Sequence, residues 1–462
     1  MTEPETLDVL VVGAGYSGLY LLHRLRAQGL SVRVVEAGDG VGGTWYWNRY
    51  PGARCDVESV EYGYSFSAEL DSEWSWNERY STQPQILAYL NRVADRLDLR
   101  RDIRLNTRVV AAHYDESGRS WRVRTEPAGA DSGEHTEVVA RFCVMATGCL
   151  SKPKIPDIPG VSSFAGLTYA TSSWPHEGVD FAGQRVGIIG TGSSGVQAIP
   201  MIAEQAAHLH VFQRTANYIV PAHNRELTNA EQGPEELAVR RSSALNNPSG
   251  LAFDGGELNE RAATEVSEEE REREFERLWR KGGLTMLLAF TDVGTEGPTN
   301  EAAAEFVHRK IREKVRDPKV AETLVPRDHP FGAKRLRGYR VLRDVQPGQR
   351  DPGESARDAD RTGHPDGRAY HRRAHRAGRS GAGHRVRRDD RGVDRDRHPG
   401  QWRCAAAAVM GQRPPQLPGA SHRGVPQPVH RDRAGQPVGA QQHAVVHRAA
   451  RRLDHRLHSL PG

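Results

Sequence analysis

Cysteine is scarce in this sequence, with four residues among 462. The four form no CxxC pair and no spacing typical of metal ligands, which argues against a disulfide framework and against a zinc site. No apolar run approaches the roughly 20 residues that cross a bilayer. The first residues are polar and acidic and lack the basic and apolar segments of a secretion signal. We therefore expect a cytoplasmic protein without a membrane partner.

Lysine, isoleucine, phenylalanine and asparagine are absent after Arg340, although all four occur before it. The last part of the chain is instead rich in arginine, histidine, aspartate, glycine and proline. A basic surface of this kind can attract nucleic acid, but the low apolar content favours a disordered tail that cannot offset its chain entropy. We predict a boundary near residue 340 and no nucleic-acid partner.

A dinucleotide-binding pattern opens the sequence. An apolar strand is predicted at residues 8–12, a GxGxxG motif follows directly, and apolar residues at helical spacing cover 19–30. A second strand at 31–35 ends in an acidic residue. A glycine motif alone is weak evidence, but strand, motif, helix, strand and acid in this order predict a Rossmann-like α/β unit.

Each motif residue has a physical role in this unit. Gly13 permits the tight turn, and Gly15 lets backbone N–H groups approach a pyrophosphate at the start of the helix. Gly18 allows the helix to pack closely on the strand. Glu36 stands where a carboxylate accepts hydrogen bonds from a ribose.

Two more segments indicate that the first nucleotide is FAD. Gly42-Gly43-Thr44-Trp45 follows soon after the acid, where FAD-binding proteins meet the extended dinucleotide again. Ala146-Thr147-Gly148 ends a strand predicted at 138–145 and resembles the ATG motif of flavoproteins with two dinucleotide domains. Gly43, Thr44, Trp45 and Thr147 are therefore candidate FAD-binding residues.

A second pattern of the same kind begins with the strand 185–189. The motif Gly190-Thr191-Gly192-Ser193-Ser194-Gly195 follows, and a helix is predicted over 196–209. By the same reasoning, the candidate residues for the second nucleotide are Gly190, Gly192, Ser193, Ser194 and Gly195.

The second unit has an arginine where the first has an acid. Its next strand, predicted at 210–212, ends at Gln213-Arg214-Thr215. A carboxylate would repel a 2′-phosphate, whereas Arg214 can bind one through paired hydrogen bonds, with Thr215 beside it. The second unit is therefore predicted to prefer NADPH to NADH. Two nucleotide units in one chain imply two cofactors, a flavin and a reductant.

Several segments together resemble the Baeyer–Villiger monooxygenases, a branch of the class B flavoprotein monooxygenases. The stretch 43–56, which ends in Cys55-Asp56, is particular to that family. Residues 164–166 and 174–175 resemble the two ends of its fingerprint FxGxxxHxxxWP. Residues 330–335, Pro-Phe-Gly-Ala-Lys-Arg, match the segment with the family's catalytic arginine. The resemblance runs from about residue 5 to residue 336.

The resemblance implies an FAD-dependent, NADPH-consuming enzyme that converts ketones to esters or lactones with O2. In this cycle NADPH reduces FAD, and reduced flavin with O2 gives a C4a-peroxyflavin that attacks the ketone carbonyl. One position departs from the family pattern, because Ala170 stands where the fingerprint has histidine. The loss of that imidazole bears on the coupling of NADPH oxidation to oxygenation and leaves the fold unaffected.

The same segments supply candidate catalytic residues. Negative charge develops during the reaction, and a fixed cation in a water-poor site stabilises it. Arg335 is our candidate because its guanidinium remains protonated. Asp56 is expected to hold that guanidinium in position. Lys334 is expected to assist Arg214 at the 2′-phosphate.

The fold expected from these patterns is α/β, with two Rossmann-like domains, a helical insertion and a disordered tail. The predicted segments are an FAD-binding domain (1–150), the first part of an NADPH-binding domain (151–222), a helical insertion over the substrate site (223–330), the Lys-Arg segment (331–340) and the tail (341–462).

Two helices are predicted within the insertion. The first covers 268–280 and mixes acids with bases, as a solvated helix face does. The second covers 301–317 and stops before Pro318. Its buried side is predicted to consist of Phe306, Ile311 and Val315.

The tail has the amino-acid composition expected when a GC-rich gene is translated in the wrong reading frame. With suitable synonymous codons, a reading one base later turns residues 341–354 into a strand-like segment resembling the family, and turns 382–388 into Leu-Ala-Thr-Gly-Phe-Asp-Ala, a second ATG motif. Residues 424–443 likewise become a segment resembling the family's C-terminal region. Three matches in order and in one frame lead us to hypothesise a frameshift between about residues 335 and 340.

Two alternatives remain open from the sequence. A flavin monooxygenase that oxygenates nitrogen or sulfur shares both nucleotide sites. The stretch 45–56 and Arg335 favour ketone oxidation, whereas Ala170 at the fingerprint histidine position weakens that choice. A truncated inactive remnant, or a basic binding protein made by the altered frame, is the second alternative. The ketone, the regiochemistry and the oligomeric state are not encoded in any of these patterns.

Overall fold

The computed structural model describes residues 3–129, 135–150, 153, 156, 158–239, 259–332, 336–338 and 402–406. Its strands are β1 (Glu5–Val12), β2 (Val32–Val35), β3 (Ile103–Arg104), β4 (Thr107–Asp115), β5 (Ser120–Pro127), β6 (Thr136–Met145), β7 (Leu167–Ala170), β8 (Arg185–Ile189), β9 (His208–Phe212), β10 (Ile219–Pro221), β11 (Leu336–Gly338) and β12 (Trp402–Ala406).

Besides the helical residues 234–239, eight α-helices and seven short 3₁₀ helices lie within this described part. The α-helices are α1 (Tyr16–Ala27), α2 (Thr44–Trp47), α3 (Ala68–Ser72), α4 (Gln83–Arg96), α5 (Ser193–Ala203), α6 (Glu268–Lys281), α7 (Pro298–Lys314) and α8 (Pro318–Leu324). The 3₁₀ helices are Ser59–Tyr62, Arg100–Asp102, Val161–Ser163, Thr171–Ser173, Ala230–Gln232, Ala263–Glu265 and Gly283–Leu288.

The first sheet has six strands in the order β3-β2-β1-β6-β5-β4. Strands β3, β2, β1 and β6 are parallel, and β5 runs antiparallel to both β6 and β4. Strand β1 is central, and its second half (residues 9–12) is wholly apolar, as expected for a strand covered on both faces. The parallel part confirms the predicted α/β unit and brings the ends of β1, β2 and β6 to one edge.

The first helix differs from its prediction at both ends. Helix α1 begins at Tyr16, directly after the glycine turn, and not at residue 19. It ends at Ala27, and Gly29 follows in the left-handed region with φ +79°. A helix that starts within the glycine motif directs its first N–H groups toward the turn, where an anion can bind.

The second sheet contains β7, β12, β8 and β9 in that order, all parallel. Strand β8 covers the predicted residues, but the helix predicted over 196–209 is wrong at its C-terminal end. Helix α5 ends at Ala203, and β9 already begins at His208. The segment 208–212 pairs with β8, for example Leu209 beside Val186, so strand pairing overrides the apolar periodicity.

The helical insertion shares its core with the second sheet. Phe275 of α6 and Phe306 and Ile311 of α7 are fully buried in the same apolar cluster as Val186 and Ile188 of β8. Val315 is buried there as well, which confirms the predicted buried side of the second helix. Helix α7 begins at Pro298, earlier than predicted, and ends at Lys314.

Pro318 starts a helix, whereas the sequence suggested only a stop. It occupies the first turn of α8, where the missing N–H of proline costs no hydrogen bond. The side chain of Asp317 caps this helix by accepting hydrogen bonds from the N–H groups of Lys319 and Val320. The prediction therefore located a true helix boundary and missed the helix beyond it.

The segment after β10 returns to the first unit. Ala222 is buried in the core beneath α1 and α4, with Leu227 packed against the same cluster. The backbone N–H of Arg79 donates to the carbonyl of Arg225, and that of Leu227 donates to the carbonyl of Asn77. The chain thus passes from the second unit across the first before it enters the helical insertion.

Most of the predicted tail, together with Lys334 and Arg335, lies outside the described residues. Within the tail, residues 402–406 are the described exception to the expected lack of secondary structure, because they form β12 between β7 and β8. They belong to the least polar part of the tail, which suits a central strand. Across the described ranges, the structure contains no helix with the length and apolarity that crossing a membrane requires.

Candidate functional site

Three loops meet at the carboxyl edge of the first sheet. Gly13 has φ +107°, and a Cβ atom there would lie 2.7 Å from the carbonyl oxygen of Ala146. A Cβ on Gly18 would lie 1.8 Å from the carbonyl oxygen of Gly13, so only glycine fits at that position. The two glycines therefore have the tight-turn and close-packing roles that the motif predicted.

The two glycine segments of the first unit lie against each other. A Cβ atom on Gly43 would come within 2.8 Å of the Cα of Gly15, and Gly43 itself has φ +54°. The N–H of Gly42 donates to the carbonyl oxygen of Ala14 over 3.0 Å. A Cβ atom at Gly43 would collide with the facing backbone, so this close approach of the two segments depends on glycine.

Glu36, which the sequence predicts at the ribose position, organises the turn. Its carboxylate accepts hydrogen bonds from the N–H of Ala14 at 2.8 Å and from the N–H of Gly38 at 2.9 Å. The side chain is 6% exposed. Each carboxylate oxygen uses one lone pair on the backbone and keeps another that can accept from a ribose hydroxyl.

The remaining candidates of the first unit occupy different environments. Thr147 is exposed after the end of β6, and Thr44 is half-buried at the start of α2. Trp45, in contrast, is 8% exposed, and its ring packs edge-on to Tyr62 with the centroids 5.5 Å apart. The structure thus places the indole of Trp45 in the core, on the buried side of the Gly42-Gly43 turn, where it supports the two glycines.

The second glycine motif has the same form. Gly190 has φ +105°, and Ser193 and Ser194 begin α5. A Cβ atom on Gly192 would have no neighbour within 4 Å, so the space in front of the helix is open. Gly195 is buried in the first turn of α5. An open N-terminal turn without side chains in front of it suits a pyrophosphate.

The loops after β8 and β9 are tied together beside this opening. The amide of Asn217 donates to the carbonyl of Thr191 at 2.9 Å and to that of Thr215 at 3.3 Å. Arg214 directly precedes Thr215, is exposed, and has no carboxylate partner among the described residues. Its guanidinium is therefore available to an anion at the place where the sequence predicted a 2′-phosphate.

The segment that precedes Lys334 and Arg335 is firmly held next to this loop. The amide of Asn300 donates to the carbonyl of Phe331 at 2.9 Å and accepts from its N–H at 3.0 Å. The ring of His329 lies 3.1 Å, by Nε2, from the carbonyl of Ala216. The residues up to Gly332 are therefore held close to the loop that carries Arg214.

Asp56 lies at the contact between the two units. Its Oδ1 accepts a hydrogen bond from the amide nitrogen of Gln197 on α5 at 3.1 Å. The same amide contacts Arg54 and Tyr50, and Gly52 lies so close to α5 that a Cβ atom there would be 2.3 Å from the carbonyl of Gln197. The partnership of Asp56 with Arg335 falls outside the described residues and stays a prediction.

Sequence reasoning missed Gln197 and Tyr50 as site residues. A sequence signal for Gln197 was present, because it is the one strongly polar residue of α5 after the two serines. In the structure this residue is nevertheless buried, with 3% exposed. Burial raises the pKa of the Tyr50 hydroxyl far above its usual range, and the nearby charge of Asp56 acts in the same direction. Tyr50 is therefore a neutral hydrogen-bond donor at any ordinary pH.

Comparison with known proteins identifies the relatives of this arrangement. A family model described as pyridine nucleotide-disulphide oxidoreductase matches residues 10–233. A 2-oxo-Δ3-4,5,5-trimethylcyclopentenylacetyl-CoA monooxygenase from Pseudomonas putida is 44% identical over 343 residues, which cover 72% of this chain and 61% of that protein. A Baeyer–Villiger monooxygenase from Pseudooceanicola batsensis is 46% identical over 335 residues, 71% of this chain and 59% of the relative.

A solved structure extends the similarity to three dimensions. The complex of a protein named OTEMO with FAD and NADP matches with a TM-score of 0.67 at 43% identity, covering 74% of this chain and 64% of the other. The chain thus spans about three-fifths of the length of the curated relatives it matches.

Proposed function

Over 71% of its length the chain is homologous to Baeyer–Villiger monooxygenases, and from this relationship we propose that it uses FAD and NADPH to convert ketones to esters or lactones with O2. One observation supports the proposal above the others. Two glycine loops, each at the carboxyl ends of parallel strands, carry an acid in one case and, in the other, an arginine that has no carboxylate partner in the described part of the chain. That difference suits a flavin dinucleotide at the first loop and NADPH at the second.

The residues of the first loop fit FAD. Gly13, Gly15 and Gly43 let the backbone segments of this loop approach one another more closely than a Cβ atom would allow, and Glu36 offers free lone pairs beside them. We propose that these residues, with Thr44 and Thr147, hold the dinucleotide, while Trp45 supports the loop. When bound, the flavin would supply the redox and oxygen-activating chemistry.

The residues of the second loop fit NADPH. Gly190, Gly192 and the N-terminal turn of α5, with Ser193, Ser194 and Gly195, leave an open backbone surface for a pyrophosphate. We propose that Arg214 and Thr215, assisted by Lys334, bind the 2′-phosphate. The OTEMO complex contains NADP as well as FAD, which supports this pairing of ligands.

The chain's own contribution to the chemistry is to place charge in a shielded site. We propose that Arg335 donates hydrogen bonds to oxygen atoms that become negative, and that Asp56 holds its guanidinium in place. The clamp of Asn300 on Phe331 fixes the backbone that leads to Arg335. A ketone and O2 are then the small-molecule partners of the site.

A direct assay tests the proposal. Purified full-length chain should show flavin absorbance, oxidise NADPH faster than NADH, and form ester or lactone from cyclopentanone, cyclohexanone or acetone, as detected by gas chromatography with mass detection. Arg335→Ala should abolish ester formation and retain bound flavin, whereas Arg108→Ala on the exposed face of β4 should change neither. Formation of an N-oxide or sulfoxide without any ester would reject ketone oxidation in favour of heteroatom oxygenation.

A further inference from the structure

The Gln197 side chain uses its full hydrogen-bonding capacity in a buried position. Its Oε1 accepts from the Tyr50 hydroxyl at 2.8 Å and from the N–H of Arg54 at 3.3 Å. Its Nε2 donates to the carbonyl of Arg54 and to Oδ1 of Asp56, each at 3.1 Å. An amide offers two donors and two acceptor lone pairs, so all four are satisfied.

The direction of the amide is determined by the backbone around it. The N–H of Arg54 can only donate and its carbonyl can only accept, so the amide oxygen must face the first and the amide nitrogen the second. The second hydrogen on that nitrogen then points to Asp56. Gln197 therefore presents a donor to this carboxylate in one fixed orientation.

We propose that Gln197 is a positioning residue that fixes the rotamer of Asp56 and holds the 50–56 segment against the start of the NADPH-binding helix α5. The proposal rests on the function proposed above, in which Asp56 orients Arg335. It assigns a residue of the second unit, Gln197, to the orientation of Asp56 in the first unit. A shift of the α5 N-terminus would thus reach Asp56 directly through the Gln197 side chain.

The packing around the amide is consistent with such a mechanical link. Gly52 has φ +80° and approaches the Gln197 carbonyl too closely for any Cβ atom, and Tyr50 and Ala53 are buried in the core of the second unit. Segment 50–56 therefore has little freedom to slide along α5. A buried polar network whose members are all satisfied is rigid, and replacing one donor by an acceptor leaves several groups unmatched.

The test uses the full-length chain with Gln197→Glu, Asp56→Asn, the double variant and Gln205→Glu. Gln197→Glu keeps the acceptor oxygen for Tyr50 but turns the donor toward Asp56 into an acceptor. Gln205→Glu makes the same chemical change on an exposed residue just after α5. Gln197→Met, which buries no added carboxylate, repeats the test if the glutamate variant fails to fold. The readouts are NADP+ affinity by calorimetry, the thermal unfolding midpoint, KM for NADPH, and ester formed per NADPH consumed.

We expect Gln197→Glu to lower ketone-dependent turnover about 10-fold or more, with NADP+ affinity and KM for NADPH nearly unchanged because Arg214 is intact. Adding Gln197→Glu to Asp56→Asn should cause little further loss, since both act on the same group. Losses that multiply in the double variant, or an equal loss in Gln205→Glu, would overturn the proposal.

The outcome is separable from that of the proposed function. If wild-type chain binds both nucleotides but makes no ester, ketone oxidation is rejected. The unfolding midpoints of the variants still decide whether Gln197 holds Asp56 in place. A Gln197–Asp56 contact predicts that the double variant is less destabilised than the sum of the two single variants. Simple additivity of the midpoint shifts would show that the contact does not hold Asp56.

Discussion

The two predicted nucleotide sites differ from each other in single residues. The glycines differ in what they permit, since Gly18 has no room for a Cβ atom while Gly192 faces open space. The charged residues differ in how they are held, since Glu36 is bonded to two backbone N–H groups while Arg214 is exposed without a carboxylate partner among the described residues. Each difference leads to a separate measurement.

Alanine at the two glycines should separate folding from ligand binding. Gly18→Ala places a Cβ atom 1.8 Å from a backbone oxygen, and we expect it to lower the free energy of unfolding by more than about 3 kcal/mol. Gly192→Ala meets no atom, so its unfolding midpoint should match wild type while NADP+ affinity falls, because the methyl group occupies the approach to the helix. Equal thermal stability of the two variants would contradict this assignment.

Removal of the Arg214 charge should change cofactor preference. We expect Arg214→Ala to raise KM for NADPH about 10- to 100-fold, the effect of losing charge-assisted hydrogen bonds to a phosphate, and to leave KM for NADH unchanged. Steady-state kinetics with both cofactors measure the ratio, and Arg108→Ala serves as the control for loss of an exposed arginine. A parallel rise in both KM values would place the 2′-phosphate elsewhere.

At the scale of elements, polar contacts connect the helical insertion and the returning segment to the first unit. Arg79 forms an ion pair with Glu58 and donates to the carbonyl of Lys281 at the end of α6 over 2.9 Å. The side chain of Gln232 accepts a hydrogen bond from the N–H of Trp76. These contacts attach secondary-structure elements that are distant in sequence, so no local pattern reveals them.

The Glu58–Arg79 pair should be important for stability. Both side chains are 8% exposed, and removal of one partner leaves the other charge buried without its ion-pair partner. We expect Glu58→Ala to lower the free energy of unfolding by about 3–5 kcal/mol, measured by urea denaturation. Glu274→Ala, at the more exposed pair with Arg277, is the matched control and should have a much smaller effect.

The returning segment should lose part of its anchoring in acid. Hydrogen bonding from Arg225 lowers the pKa of Glu231 from 4.5 to about 2. A carboxyl group with a depressed folded pKa stabilises the protein above pH 4.5, and this contribution is lost as pH falls toward 2. Wild type should therefore be more stable than Glu231→Gln at neutral pH, and thermal melts should converge near pH 2. A stability difference independent of pH would refute this.

At the scale of the whole molecule, the two nucleotide units touch through segment 50–56 and through the segment that returns after β10. Their core clusters are separate, yet Tyr50 and Ala53 of the first unit lie in the second core, and Ala222 lies in the first. The matched relatives are longer, with the chain spanning 61% and 59% of two of them. The character of the sequence after residue 340 is therefore the largest remaining question about the molecule.

The frameshift hypothesis gives a clear expectation. DNA sequencing of both strands across codons 330–342 should reveal a base lost or gained relative to the present reading. A chain expressed with the reading frame restored should bind FAD at higher occupancy than the present chain, measured as the ratio of absorbance at 450 nm to that at 280 nm. An unaltered frame in the gene, or equal flavin occupancy in the two chains, would count against the hypothesis.

The sequence by itself determined the two Rossmann-like units, the glycine turns and the difference between Glu36 and Arg214, because local spacing and residue type dictate them. It also predicted the strand at 185–189 and the buried side of α7. The tertiary structure alone decided that α5 stops at Ala203, since strand pairing outweighs helical periodicity there. It alone brought Gln197 to Asp56, because a contact between residues 141 positions apart depends on how two domains pack.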